Sequence, residues 1–129
     1  MAVAAPSLRI SLLAAAADAV AVVVFAAVGR LSHGETDDLL GLVATAAPFG
    51  VGLVAAWATP AVRREPAGWR AGAVAVACVA GLGLLLRAGF TGRLPLSFAL
   101  VATISLAVLM LGWRGFAALV SRTAHRAAR

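Results

Sequence analysis

This sequence is short of charge. Only 12% of its 129 residues are Asp, Glu, Lys or Arg, against roughly a quarter in an ordinary soluble domain. So little charge on so short a chain cannot clothe a water-facing surface, which excludes a soluble globular domain. The same apolar excess excludes intrinsic disorder. Lysine is absent altogether, and all eleven basic residues are Arg, a bias we attribute to GC-rich coding. Cysteine is reduced to Cys78 inside an apolar run. It supports neither a disulfide framework nor a metal cluster and reads as a small packing residue. Also missing are a nucleophile–base pair, a glycine-rich phosphate loop and a zinc signature. No catalytic residues, cofactor or metal are therefore expected.

What the chain has is apolar length. Hydrophobic residues make up 63% of it, and its mean hydropathy is +1.01. Four apolar runs stand out, over residues 10–29, 39–59, 71–86 and 94–113. A membrane span needs about 20 residues, and lipid leaves the backbone no outside partner, so each run should be helical. The third is short unless Trp69 and Arg87 form its interfacial ends. The first is read as a span, not a cleaved leader, because no polar segment follows its Ala14–Ala17 stretch. Short linkers predict antiparallel neighbours, hence an all-α, four-helix integral membrane bundle over 1–114 and a basic amphipathic tail over 115–129.

The net charge of +6 would suggest nucleic acid if it formed patches on a polar body. Here the charges sit between apolar runs, so they report orientation instead. Eight of the eleven Arg (Arg9, Arg63, Arg64, Arg70, Arg114, Arg122, Arg126 and Arg129) fall on one side. Only Arg30, Arg87 and Arg93 fall on the other. The bias predicts cytoplasmic termini in a multi-pass protein of a bacterial inner membrane. Anionic headgroups should meet the Arg-rich face. Arg30, Arg63, Arg87 and Arg114 follow span ends, where a cation complements the helix dipole. Tail residues Phe116, Leu119, Val120 and Thr123 share a face opposite Arg122, Arg126 and Arg129, as a helix extension or an in-plane helix.

Asp18 is the one acid inside a span. Eight residues into the first run, it lies about 12 Å from the cytoplasmic end, near the bilayer centre. It must face protein or water and be paired or neutral. Ser11, Ala14, Ala15, Asp18, Ala21, Val22, Phe25 and Gly29 share its face. The facing stripes are Gly41, Thr45, Pro48, Gly52, Ala56 and Thr59 in the second span, and Ser97, Val101, Ser105, Val108 and Gly112 in the fourth. The third offers the pair Ala77 and Gly81. Pro48 frees the Ala44 carbonyl and predicts a kink. Level counting makes that carbonyl, Thr103 and Ser105 the expected partners of a protonated Asp18.

In the outer linker, His33, Glu35, Asp37 and Asp38 are metal-ligand types with no coordinating spacing. Ser32 and Glu35 match a capping box, and Asp37 or Asp38 suits the start of the next helix. Gly34 should carry the unusual backbone of a tight turn. A faint internal echo pairs Arg30, Ser32 and Gly34 with Arg87, Thr91 and Gly92, and Trp57 with Trp113.

These residues resemble a known family. Asp18, the run Gly29-Arg30-Leu31-Ser32-His33-Gly34, Pro48-Phe49-Gly50-Val51-Gly52, Trp57, Arg87 and Gly112-Trp113-Arg114 look like the domain of unknown function 3054 family. An aromatic common to its third helix is absent from Val74–Val79. The resemblance implies small, four-helix, prokaryotic membrane proteins without an assigned reaction.

Three functional readings follow, in this order. The first is a structural or accessory membrane protein, a homo-oligomer or bound to a partner membrane protein. The second is a small transporter or proton-coupled permease subunit using Asp18, with Arg30 and His33 at its outer gate. The third is an intramembrane enzyme acting on lipid through the His33–Asp38 loop.

Overall fold

The computed structural model describes residues 5–34 and 38–129. Every regular element among them is a helix: α1 (Leu8–Ser32), α2 (Leu39–Ala58), α3 (Pro60–Arg64), α4 (Trp69–Thr91) and α5 (Leu96–Ala127). Four of these, all except α3, are long and apolar enough to cross a membrane.

The boundaries have local causes. The Ser7 hydroxyl accepts from the Ile10 N–H and starts α1, and the Asp38 carboxylate accepts from the Gly41 N–H and starts α2. Each satisfies a donor the first turn leaves unpaired. α1 gives way at His33 to Gly34, and α4 stops at Gly92. Both glycines have positive φ, 66° and 70°, a conformation that other residues adopt at a cost. Ser32 instead donates back to the Val28 carbonyl. α4 runs past the expected 71–86, because nothing breaks the helix before Gly92. α2 is continuous through Pro48, which is buried. The 59–68 connection holds the short α3, opened by Pro60 and seated by the buried Val62.

Close approach between α2 and α4 sets the bundle. A Cβ on Gly52 would come within 2.5 Å of the Cys78 carbonyl oxygen and 2.7 Å of the Val79 Cα. Gly83 lies under the Phe49 ring, which in turn meets Phe25 of α1 edge-on at 4.9 Å. The core is otherwise small side chains, with Val79, Leu106 and Met110 fully buried among alanines. Such residues let helices pack closely where lipid supplies no hydrophobic drive.

The expected faces hold for α1, which buries Ala14, Asp18, Ala21, Val22 and Phe25, and for α2, which buries Pro48, Gly52 and Ala56. They fail for the other two. α4 buries Ala71, Gly72, Ala75, Val79, Ala80 and Gly83, while Ala77 and Gly81 are exposed. α5 buries Ala102, Leu106, Met110 and Arg114, while Val101 and Val108 are exposed. In α5 the stripe one residue away carries the larger side chains, and these fill the gap between helices better than Ser97 or Gly112.

Candidate functional site: a buried carboxylate–guanidinium centre

Asp18 is completely buried on the inner face of α1. It is not alone. Arg114 continues the buried stripe of α5 one turn past Met110, and it too is buried. Its Nη1 and Nη2 donate to Asp18 Oδ1 and Oδ2, both at 2.8 Å. This is the bidentate fork that a planar guanidinium forms with a carboxylate.

Two indoles complete the carboxylate's shell. Trp57 Nε1, from the last turn of α2, donates to Oδ2 at 3.1 Å, and Trp113 Nε1 donates to Oδ1 at 2.8 Å. A carboxylate offers about four acceptor positions, and four N–H groups fill them. On the other side of the pair, Arg114 Nε donates to the Pro66 carbonyl at 2.9 Å, and Nη1 also donates to the Met110 carbonyl at 3.1 Å. The guanidinium carbon lies 4.3 Å from the centre of the Trp113 ring. Gly72 makes room for it, since a Cβ there would come within 2.9 Å of Arg114 Cδ. Among the described residues no buried side-chain N or O lacks a partner.

These contacts correct three expectations about Asp18. Its partner is the Arg114 cation and not a carbonyl or a hydroxyl. The Thr103 hydroxyl is exposed and donates to Ala99 of its own helix, Ser105 is half-buried, and the Ala44 carbonyl lies on an exposed residue; none takes part. Finally, Asp18 is not level with Pro48 of α2. Phe25 meets Phe49 while Asp18 meets Trp57, so Asp18 stands level with the end of α2, where the connection begins. The residues of α1 before it run past that level. Counting depth from Ile10 assumed that the helices start flush, and they do not.

The position of Arg114 at the end of an apolar run points to a helix-end cation facing headgroups. The length of α5 overturns this, since the helix continues through Ala127 without a break after Arg114. Trp57 and Trp113 stood out only as an echo between the two halves, and the structure brings both to one carboxylate, one on each oxygen. Pro66 and Gly72 carried no sequence signal. The signal available for Arg114 was that a lone buried acid calls for a cation.

The outer residues do not converge. Arg30 donates to Thr45 Oγ1 at 3.2 Å and to Asp38 Oδ1 at 3.1 Å, its side chain lying over Gly41. It ties the end of α1 to the start of α2. Arg87 sits over the Phe98 ring at 4.6 Å, His33 follows α1 on the surface, and Glu35 lies outside the described residues. Among the described residues no three His, Cys, Asp or Glu side chains gather.

No curated protein and no solved structure matches this chain. A family model described as "Protein of unknown function (DUF3054)" matches residues 15–117. The match spans Asp18, Trp57, Trp113 and Arg114, with all of α2 and α4 and most of α1 and α5, and the chain belongs to that family.

Proposed function

We propose that this chain is a polytopic membrane protein with a structural or accessory role, its bundle closed by the Asp18–Arg114 pair. The observation that carries the reading is the fully occupied carboxylate. Four donors on two oxygens leave no acceptor position for a travelling proton or a coupled cation, and the guanidinium is fixed from both sides. A relay needs a group that changes partners, and this one is held by three helices and the connection.

The same reading takes the four long helices as antiparallel neighbours with both termini cytoplasmic, in a cell membrane. It is supported by the reversed order of contacts, Gly52 with Val79 and Phe49 with Gly83, and by the Arg asymmetry. The apolar residues turned outward, such as Leu12, Val20, Val54, Leu100 and Ile104, then face lipid tails or a second membrane-embedded surface, whether another copy or a partner protein.

Proton flux into proteoliposomes tests the reading. The expected result is no flux above empty vesicles for the wild-type protein. Flux that disappears in Asp18→Asn while the bundle stays folded would assign Asp18 to transport instead.

A further inference from the structure

Beyond Arg114, α5 continues as an arm with nothing to pack on. Residues 118–129 are all exposed, and Phe116, Leu119 and Val120 are 68, 62 and 51% exposed. At 100° per residue, the arm carries on a column that begins inside the span. Leu100, Ile104, Val108 and Leu111, all exposed, occupy one side of α5. The same steps of three and four lead through Gly115 and Ala118 to Arg122, Arg126 and Arg129. The side of the helix turned outward as apolar surface thus becomes a column of arginine just past the span. Phe116, Leu119, Val120 and Thr123 centre on a direction about 100° round the helix from it, a neighbouring face and not the opposite one the sequence pattern suggests. No Asp or Glu occurs anywhere after Glu65, so the arm is purely cationic. Two copies of it would repel one another. An anionic surface immediately beside the span is its charge complement, and arginine side chains reach toward such a surface while their stems stay on apolar ground.

We propose that residues 115–129 dock on the anionic headgroups of the adjoining leaflet, with Arg122, Arg126 and Arg129 as the phosphate contacts. Phe116, Leu119 and Val120 then seat at the headgroup–acyl boundary. The proposal rests on the reading that α5 spans the bilayer. Docking is set by surface charge, and each arginine near an anionic leaflet contributes roughly fivefold to occupancy.

The test uses the full chain carrying Cys78→Ala and Ala124→Cys, labelled at residue 124 with an environment-sensitive fluorophore. It is reconstituted in phosphatidylcholine vesicles with and without phosphatidylglycerol. The expected result is a blue-shifted emission that requires phosphatidylglycerol and reverts in high salt. In Arg122→Gln/Arg126→Gln/Arg129→Gln the phosphatidylglycerol demand should rise by about a hundredfold in apparent affinity. Emission identical in both vesicles overturns the proposal. A shift that follows the protein-to-lipid ratio and ignores phosphatidylglycerol also overturns it and assigns the arm to a second copy. Extraction of the protein by alkaline carbonate would instead overturn the spanning reading; retention in carbonate without phosphatidylglycerol dependence overturns only the docking of the arm.

Discussion

At the scale of single residues, the centre is defined by what is lost when one partner is removed. Asp18 and Arg114 are both out of contact with solvent, so desolvation offsets much of their mutual attraction, and the intact pair contributes little net stability. Breaking it is different, because an uncompensated charge is left buried. Asp18→Asn and Arg114→Leu should each cost about 3–5 kcal/mol, read as a loss of heat stability in detergent by fluorescence-detected size exclusion. The double variant Asp18→Leu/Arg114→Met should recover most of that loss, because neither charge is stranded. A double variant as unstable as the worse single one would mean that the pair is needed for more than charge balance. Trp57→Phe removes one donor and leaves an apolar ring in place. It should cost about 1.5–3 kcal/mol, the range for a hydrogen bond to a charged group, with the same measurement.

At the scale of elements, α2 holds one glycine that sets its contact with α4 and another that does not. Gly52 faces backbone of α4, which cannot swing aside. Gly52→Ala should therefore push the helices apart and destabilise by about 1–3 kcal/mol. Gly50, on the same helix, has nothing within 4 Å of its Cβ position. Gly50→Ala should be neutral or stabilising by up to about 1 kcal/mol through helix propensity alone. Thermal denaturation of the two variants side by side checks the difference, and equal effects would refute the close-approach account.

Element structure was also the most legible level of the sequence. The apolar runs gave four long helices, and periodicity gave the inner faces of α1 and α2, because each has one stripe of small residues. It misread α4 and α5 because small residues lie on more than one face of each, and in α5 the buried stripe carries the larger Leu106 and Met110 in place of Ser97, Ser105 and Gly112. The connection hid α3. The site was half legible: Asp18 declares itself by its charge, but Arg114 is ninety-six residues away and Trp57 and Trp113 sit at run ends, where their types have an interfacial explanation.

At the scale of the whole molecule, the centre joins the first long helix to the last. α1 and α5 meet through Asp18, Trp113 and Arg114, while α2 adds Trp57 and the connection adds the Pro66 carbonyl. The hairpin of α2 and α4 ends at this level, whereas α1 and α5 both run on beyond it. The bundle therefore closes only when the C-terminal part of α5 is present. Until then Asp18 is a carboxylate without its cation in an apolar helix, a costly state in a bilayer. Two truncations separate closure from mere chain length. A chain ending at Gly115 keeps Trp113 and Arg114 and removes only exposed residues and the half-buried Ala117, so it should retain nearly full heat stability. A chain ending at Gly112 is three residues shorter yet loses three of the four N–H donors to the carboxylate, the Trp113 indole and the bidentate Arg114 pair, together with the link to Pro66. It should lose about 3–5 kcal/mol, and Asp18→Leu in that shorter chain should restore part of the loss by removing the stranded charge. The comparison is read as the temperature at which the monodisperse peak disappears in detergent. If the two truncated chains melted together, closure of the bundle would lie in the helix packing alone and not in the buried pair.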